Sequence, residues 1–415
     1  LFTRITDTII EEYNLDISDQ YLDGTKLEAN ANKYKFVWKP VKYHKSLDKK
    51  IRLYLDKIGI YINQKEYIKS YQFYDYINGY AKLKNINIET IPSGRGKKLS
   101  LEQRLCKEGY KYLLKLIEYE EKESICGDNR NSYYKTDHDA TAMALKTDYY
   151  SGHGTNMHAA YNVQILVSSG IITYYDIFQD RTDYYTLIPM LDGYYKYYGK
   201  YPKNLCADSG YGIYSNYQYL DKHNIGNYVK FLAWNGESSG KNLQKFFSNG
   251  NTFFCLNKCA GIKIPFDKNH HQRYKDGTLY QFEGCEECGY AYKCKEHLKN
   301  KSGNFRTMEL IPKYEFYKNE ARINLLKGIE IRVNRSIQVE GTFGQIKENM
   351  DYIRIRRRGI NKVVTEIMLV CLGRNIRKIF AMMKSKKISD KYWIASPNLE
   401  AEIFKIVKLK KSKKL

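Results

Sequence analysis

Three acidic residues stand where they could take part together in phosphoryl chemistry. Asp23 lies in the run that leads into DGTKLEANANKY, and Asp208 ends a second short apolar run, LCAD. Glu340 lies in a stretch whose residue spacing predicts a helix. Acids at strand ends point into the crevice above an α/β sheet, where ligands usually bind. Carboxylates that converge there can hold two Mg²⁺ or Mn²⁺ ions, roughly 3.5–4 Å apart, for phosphodiester cleavage.

Each acid also has a structural explanation. Asp-Gly is a common turn pair, so Asp23 could belong to a turn. Asp208 could cap the segment that follows it, and Glu340 could be a surface residue of its helix. Asp137 and Asp139, in TDHDATAM, are alternatives to Asp23 as the first acid. We favour Asp23, because it lies on a strand-like run.

The predicted helix around Glu340 has a mixed face. Four residues spaced three, three and four apart are predicted to share it: Ile337, Glu340, Phe343 and Lys347. A face that combines apolar packing with an acid and a base can be partly buried at a cleft. Lys347 would then be placed to meet a phosphate.

Periodicity predicts the elements that would position these acids. Strands are expected over 21–27 and 35–38, and a helical region over 46–125. Two further strands flank the turn at Ser168-Ser169-Gly170, and a helix is expected over 186–198. This alternation of strands and helices indicates an α/β layer.

The charge of the chain favours a polyanionic partner, with nucleic acid as the first expectation. The formal net charge is +23, from 69 Lys and Arg against 46 Asp and Glu. Residues 301–415 alone hold 27 basic and 11 acidic residues, which favours a localised contact face over general solubility. The sequence shows no apolar run of membrane-spanning length, so we expect a cytoplasmic protein with no membrane partner.

Five blocks, in this order, resemble a bacterial insertion-sequence transposase of the DDE type. They are DGTKLEANANKYKFVWKP, TDHDATAMALK, AAYNVQILVSSGII, LCADSGYG and NRSIQVEGTFGQIKENMDYIRIRRRG. The resemblance covers roughly residues 5 to 380. It implies an α/β fold with a ribonuclease-H-like mixed sheet flanked by helices. It also implies an enzyme that cuts and joins DNA with two Mg²⁺ (or Mn²⁺) ions.

The resemblance assigns catalytic roles by position. The family's first aspartate stands in the DGTK block, which is Asp23 here, and this match adds to the preference for Asp23 over its alternatives. The second aspartate stands in the AD-x-GY block and is Asp208. The glutamate stands in the VEG-x-FG block and is Glu340. All three would be ligands of the catalytic ions.

The family's Y-x2-R-x3-E-x6-K signature is only half met. Lys347 falls at the required place after Glu340, but Val333 replaces the Tyr and Ser336 replaces the Arg. Arg335 lies one residue out of register, so whether it takes over the phosphate-binding role of that arginine stays open.

A cluster of arginines follows the Glu340 helix. It consists of Arg354, Arg356, Arg357 and Arg358 in DYIRIRRRG. Guanidinium groups suit phosphate oxygens, so DNA binding is predicted, with a solvated loop as the alternative. Arg374, Arg377 and Lys378 follow on a helix, and the lysines of the tail could add non-specific attraction to DNA.

Five of the nine cysteines crowd into one window. They are Cys255, Cys259, Cys285, Cys288 and Cys294. Two close pairs at this separation suit a structural Zn²⁺, and the alternative is a set of reduced surface cysteines. The spacing does not identify which four would bind, and His270 or His271 could take part. The window also has too few apolar residues to be expected to hold itself together without metal.

These features predict a core interrupted by two insertions. The expected parts are 1–45 (first strands of the core), 46–135 (helical insertion), 136–235 (core continued), 236–310 (Cys-rich insertion), 311–385 (core helices) and 386–415 (basic tail).

Several functional expectations follow from the resemblance. The partners would be transposon ends and target DNA, bound by a homodimer that is nucleoid-associated when on DNA. Only 22 residues precede Asp23, whereas relatives usually carry a further helical DNA-binding segment there, so a truncated copy is expected. Two other functions stay open: a metal-dependent nuclease of the same fold that does not join strands, and a DNA-binding protein that has lost catalysis.

Overall fold

The elements are taken from a computed structural model. It describes residues 1–38, 40–92, 98–128, 130–145, 157–239, 241, 244–248, 252–268, 270–295 and 303–385. The predicted basic tail, 386–415, lies outside the described residues.

The strands and helices follow the sequence predictions closely where those were made. The strands are β1 Asp19–Glu28, β2 Phe36–Trp38, β3 Ser132–Tyr134, β4 Thr141–Ala144, β5 Met157–Ser168, β6 Ile171–Phe178, β7 Asn204–Ala207, β8 Gly226–Val229, β9 Phe246–Ser248, β10 Phe253–Cys255, β11 Ile262–Ile264, β12 Thr278–Glu283 and β13 Phe305–Leu310. The helices are α1 Phe2–Glu12, α2 Pro40–Lys57, α3 Ser70–Leu83, α4 Leu101–Cys126, α5 Leu187–Tyr198, α6 Tyr214–Lys222, α7 Trp234–Ser238, α8 Ala291–Cys294, α9 Pro312–Lys327, α10 Ile329–Arg335, α11 Gly341–Gly344 and α12 Ile360–Lys384. Two π-helical turns, π1 Ser336–Glu340 and π2 Gln345–Asn349, flank α11. Short 3₁₀ turns cover Asp183–Tyr185 and Ser209–Tyr211.

The main sheet is built around β1. Strand β5 pairs antiparallel with one edge of β1, and β7 pairs parallel with the other edge. Strand β8 continues the parallel side, while β6 and β4 pair antiparallel with the far edge of β5. The sheet is therefore mixed, and the predicted α/β fold with a mixed sheet and flanking helices is confirmed.

Each face of this sheet is covered by helices. On β1, Tyr21 packs into one buried cluster and Leu22 into the other, because successive side chains of a strand point to opposite faces. The Tyr21 face is covered by π1, α11, π2 and α12, which contribute Val339, Phe343 and Ile367. The Leu22 face is covered by α5, α6 and α9.

The predicted helical region forms a layer with its own core. Helices α2, α3 and α4 bury a shared cluster that includes Ile51, Phe73 and Leu116. The chain leaves for these helices after β2 and returns through β3, and the two strands pair antiparallel with each other. This placement agrees with an insertion at that point. No described helix is long and apolar enough to cross a membrane.

The cysteine-rich segment forms two small sheets, β9–β10 and β11–β12–β13. They enclose an aromatic cluster that contains Phe246, Phe253, Tyr280 and Phe282. The segment buries this small cluster because its few aromatic side chains are large and lie together. That it does not hold together without metal stays a prediction.

Candidate active site

Strand register places the first two acids side by side. Tyr21 pairs with Cys206 and Leu22 with Ala207 in the parallel ladder between β1 and β7. Asp23 is the next residue of β1 and Asp208 directly follows the end of β7, and the two are close enough for the charge of Asp208 to raise the pKa of Asp23. Neighbouring strands lie about 4.8 Å apart, and a side-chain period of two puts both acids on the Tyr21 face. The sequence prediction that the two acids converge is supported by this geometry.

Helix α10 brings Arg335 and Glu340 onto the same face. The five residues of π1 separate them by one π-helical turn, which closes with i→i+5 hydrogen bonds instead of i→i+4. Arg335 Nη2 consequently lies 3.1 Å from Glu340 Oε1. Ser336 Oγ donates to the other oxygen of Glu340, Oε2, at 2.7 Å. An arginine one residue out of register in the sequence is therefore in contact with the glutamate in the structure.

Arg335 also bridges to the first acid. Its Nη1 lies 3.2 Å from Asp23 Oδ2, and the residue is buried. Burial lowers the pKa of Arg335, but Asp23, Asp208, Cys206 and Glu340 more than offset this, so that its pKa is raised above the usual value. The guanidinium group thus places one positive charge among the three carboxylates.

The pKa of the Asp23 carboxyl group is raised in this arrangement. Burial raises the pKa of its carboxyl group, and the neighbouring charges of Asp208 and Asp183 raise it further. Arg335 and the N–H of Gly24 lower the pKa, without cancelling the rise. The Gly24 N–H donates to Asp23 Oδ1 at 2.8 Å, which leaves Oδ2 for Arg335.

The three acids fit divalent cations by their chemistry. Carboxylate oxygens are the ligands that Mg²⁺ and Mn²⁺ prefer. Across the described parts of the chain, however, no three His, Cys, Asp or Glu side chains are arranged to hold a metal ion. At this centre the Arg335 guanidinium group stands between Asp23 and Glu340.

Asp137 and Asp139, the alternatives to Asp23, make hydrogen bonds outside the candidate site. Asp137 is buried and accepts hydrogen bonds from the Tyr161 hydroxyl at 2.9 Å and from the Gly359 N–H at 3.1 Å. Asp139 Oδ2 accepts from the Ile360 N–H at 2.7 Å. Both acids therefore bind the N-terminus of α12, where negative charge is stabilising. Gly359 precedes this helix with a φ of +81°, which favours glycine.

We expect Asp137→Ala to destabilise the protein without touching the candidate site. The buried Tyr161 hydroxyl loses its acceptor, and the start of α12 loses one cap, which together cost about 2–4 kcal/mol. Urea unfolding of the variant and of the wild type measures this change. An unchanged midpoint, or a loss of Mn²⁺ binding by a fully folded variant, would contradict the structural role.

A face shared by Ile337, Glu340, Phe343 and Lys347 is not observed. Ile337 is exposed, whereas Phe343 is buried in the core. The two π turns add residues to the helical repeat, so the α-helical spacing on which the prediction relied does not hold here. Lys347 is half-buried.

The four clustered arginines lie in a loop that is fastened to the end of β1. The Ile355 N–H donates to the Glu28 carbonyl oxygen at 2.8 Å, and Arg358 Nε donates to the Asn30 carbonyl oxygen at 2.7 Å. Glu366 of α12 accepts from the backbone N–H groups of Arg356 and Arg357. The backbone is held in this way while all four arginine side chains remain exposed.

Arg374 does not add to this basic surface. The residue is buried, and its guanidinium group donates to the Gly170 carbonyl oxygen. Burial lowers the pKa of Arg374 to about 10. Arg374 joins α12 to the β5–β6 turn and is not available to DNA.

The five cysteines lie near one another. Cys255, Cys285, Cys288 and Cys294 line one small cavity, and Arg306 donates to Cys294 Sγ. The Cys259 thiol donates to the Asn257 carbonyl oxygen at 3.7 Å, and the Cys259 carbonyl oxygen accepts from the Cys255 N–H at 3.0 Å. As stated above, no described set of three such side chains is arranged for a metal ion. The zinc site stays a prediction.

Comparison with known proteins bears on the C-terminal part of this site. A family model described as a transposase DDE domain matches residues 258–380. This match confirms the resemblance to DDE transposases and includes Glu340, Lys347 and the arginine loop, while Asp23 and Asp208 lie outside it. No curated protein and no solved structure matches the chain.

Sequence reasoning missed two residues beside the DDE acids. Asp183, in the 3₁₀ turn after β6, is close enough to raise the pKa of Asp23. Gln164, on β5, is fully buried and donates to Asp183 Oδ1 at 2.7 Å. Gln164 and Asn162 are two amides among the apolar residues of YNVQILV, and this interruption was the signal that could have identified Gln164.

Proposed function

We propose that this protein is a DNA transposase that cuts and joins phosphodiesters at insertion-sequence ends by two-metal chemistry. One observation carries the proposal. Acids from β1, the end of β7 and π1 meet around the Arg335 guanidinium group, and the third acid lies in the matched transposase DDE domain. Three carboxylates assembled from distant parts of the chain are what metal-assisted phosphoryl transfer requires.

The topology supports a ribonuclease-H-like core within this proposal. The first strand is central, an antiparallel pair lies on one side, and two parallel strands lie on the other. Asp208 follows the end of β7, and Asp23 lies midway along β1, just past the parallel pairing of the two strands. Both acids would then face the cleft of the sheet, where ligands bind in α/β folds.

Asp23, Asp208 and Glu340 would hold Mg²⁺ or Mn²⁺. When bound, such ions activate a water or a 3′-hydroxyl group and stabilise the leaving oxygen. The residues of the chain prepare this site. Ser336 orients the Glu340 carboxylate, and the Gly24 N–H orients that of Asp23. Arg335 balances their charge and would have to move from between them when ions bind.

The loop that carries Arg354, Arg356, Arg357 and Arg358 would bind DNA at a distance from the scissile bond. Its anchor on β1, Glu28, is five residues from Asp23, which corresponds to about 17 Å along an extended strand. One DNA strand carries a phosphate roughly every 3.4 Å of helix axis, so the loop would meet phosphates about five nucleotides from the scissile bond. Lys347 would contact a phosphate nearer the acids.

We expect the loop arginines to supply sequence-independent affinity. Changing Arg356 and Arg357 together to Gln should weaken binding of every DNA sequence alike and reduce the salt dependence of log K by about two. The control changes Lys196 and Lys222 together to Gln. Both are exposed helix residues far from the loop in sequence, so the control removes the same charge at another place. Fluorescence anisotropy at several salt concentrations measures both. Equal salt slopes for the two double variants would contradict the assignment.

Further parts of the proposal concern assembly and place of action. A homodimer on paired DNA ends and a cytoplasmic, nucleoid-associated location in a bacterium agree with the DDE domain and with the basic charge of the chain. Size measurement of the protein alone and with end DNA would test the dimer.

The test of the function is a Mg²⁺-dependent nicking and strand-transfer assay. The substrate is DNA that carries the ends flanking the gene, and Glu340→Gln is compared with the wild type. The proposal predicts both products for the wild type and neither for the variant. Nicking without joining would identify a metal-dependent nuclease. DNA binding with no cleavage by either protein would identify a DNA-binding protein that has lost catalysis.

A further inference from the structure

A fully buried glutamine lies directly behind Asp23. Gln164 of β5 pairs with Gly24 of β1 and has no exposed surface. Because successive residues of a strand face opposite sides, Gln164 lies on the Leu22 face of the sheet, whereas Asp23 lies on the other face. A buried amide is costly unless every donor and acceptor is satisfied, so the partners of Gln164 indicate what it is for.

Both N–H donors and the carbonyl oxygen of the Gln164 amide have hydrogen-bond partners. Its Nε2 donates to Asn162 Oδ1 at 2.9 Å and to Asp183 Oδ1 at 2.7 Å. Its Oε1 accepts from the Tyr211 hydroxyl. Asn162 Nδ2 also donates to Asp183 Oδ1, at 2.9 Å. The four side chains form one hydrogen-bonded network, in which Gln164, Asn162 and Tyr211 are buried and Asp183 is half-buried, and such networks hold their members rigidly.

The glycine of the DGTK block makes room for this network. A Cβ atom on Gly24 would lie 1.9 Å from Gln164 Nε2, which is far inside any permitted contact. Gly24 therefore lets the Gln164 amide cross beneath β1 to reach both sides of it. The residue after the first acid is small for this reason, and not because Asp-Gly forms a turn, since both residues lie inside β1.

The network connects the two segments that flank the acids. Tyr211 belongs to the 3₁₀ turn Ser209–Tyr211, which begins directly after Asp208. Asp183 belongs to the turn after β6, and its Oδ2 lies against Gly210 of that same turn. Gln164 thus joins β5, the turn after Asp208 and the turn that holds Asp183, at the level of Asp23.

We propose that Gln164 is a positioning residue, which fixes the turn after Asp208, and with it the Asp208 carboxylate, relative to Asp23. This inference rests on the proposed function and adds to it the residue that sets the geometry of the acid pair. Second-sphere residues that orient metal-binding carboxylates typically change metal affinity or activity by 10–100-fold when they are mutated.

The first test is Gln164→Leu, which keeps the volume and removes the hydrogen bonds. We expect Mn²⁺ affinity, measured by calorimetry, to fall about 10–100-fold, and kcat for nicking to fall with it, while the Kd for end DNA stays unchanged. Gln20→Leu is the matched control. Gln20 is a fully buried glutamine on β1 that bonds to Ile17 and Thr173, and its variant should keep the Mn²⁺ affinity of the wild type.

A double-mutant cycle between Gly24 and Gln164 distinguishes a positioning role from a general loss of structure. Gly24→Ala should displace Gln164 and reproduce the loss of Mn²⁺ affinity. Gly24→Ala combined with Gln164→Ala should lose no more than either single variant, because both changes break the same link. Losses that multiply would overturn the inference.

The outcomes also separate this inference from the proposed function. If Asp208→Asn abolishes Mn²⁺ binding and nicking but Gln164→Leu changes neither, the positioning role is wrong and the function stands. If Asp208→Asn itself leaves both intact, the proposed function is wrong. Should Gln164→Leu fail to fold, Tyr211→Phe removes only the hydroxyl link, and an unchanged Mn²⁺ affinity in that variant would equally overturn the inference.

Discussion

Asp208→Asn is expected to abolish Mg²⁺-dependent nicking of end DNA. The change keeps the size of the side chain but removes one of the three charges that would hold the metal ions. Metal ions contribute several kcal/mol of transition-state stabilisation, so the rate should fall by about 10³-fold or more. Single-turnover nicking at saturating protein measures the chemical step without the contribution of DNA affinity.

The same variant should fold as well as the wild type. Asp208 raises the pKa of Asp23, so its removal relieves a repulsion in the folded state. Asp56→Asn is the matched control, since Asp56 is an exposed acid of α2. A variant at Asp208 that nicks within tenfold of the wild type would contradict the site, as would an equal loss in Asp56→Asn.

Arg335→Gln is expected to have the second large effect, with opposite consequences for stability and metal binding. In the metal-free protein the change leaves Asp23 without its cation. Breaking a buried ion pair in this way costs about 3–5 kcal/mol. The contact with Glu340 adds little to this, because that side chain is 56 % exposed. Affinity for Mn²⁺ should rise about tenfold or more, because a competing positive charge has been removed.

The destabilisation by Arg335→Gln should depend on pH with a definite sign. The pKa of Asp23 is already raised in the folded protein, and Arg335 is the largest influence that lowers it. Without the guanidinium group that pKa rises further, so the folded state favours the protonated acid. Stability of the variant is therefore retained at low pH and lost as pH rises through the folded-state pKa of Asp23.

Thermal unfolding with and without Mn²⁺ checks both parts of this prediction. The increase in Tm on adding Mn²⁺ should be larger in Arg335→Gln than in the wild type, since ligand binding stabilises according to affinity. Arg332→Gln, one turn earlier in α10, is the control, because Arg332 bonds to the Leu325 carbonyl oxygen. A smaller Mn²⁺ effect in Arg335→Gln than in Arg332→Gln would show that Arg335 does not compete with metal.

The positions of Asp23 and Asp208 could be predicted from the sequence, because a strand is recognised from a short run of residues. Asp23 and Asp208 each follow an apolar run, and the strands β1 and β7 are found where those runs stand. The adjacency of the two acids needs only a parallel pairing of the two strands in the observed register. Nothing in the sequence alone specifies that register, and the block resemblance supplied the link.

The surroundings of Glu340 could not be predicted, because the helix there is not α-helical throughout. The turn π1 places Arg335 against Glu340 at a spacing of five residues. It also turns Ile337 to solvent, where an α-helix would group it with Phe343. π-helical turns are rare and are concentrated at functional sites, so sequence spacing is least dependable where the chemistry lies.

Long-range contacts account for the remaining differences. Asp137 and Asp139 resemble metal ligands in sequence, but they bind the N-terminus of a helix more than 200 residues away along the chain. Arg374 has the charge of a DNA contact but is buried against the β5–β6 turn. Such roles depend on which surfaces meet in the folded chain, and composition does not reveal them.

The most direct measurement is a crystal structure grown with Mn²⁺, with data collected to locate anomalous scattering from manganese. The account predicts a manganese peak in contact with Asp23 and Asp208, with Glu340 beside it and the Arg335 guanidinium group moved away from Asp23. A peak at Asp137 and Asp139 would contradict it. So would an Arg335 bridge that stays unchanged, with no peak, in a preparation that nicks DNA with Mn²⁺.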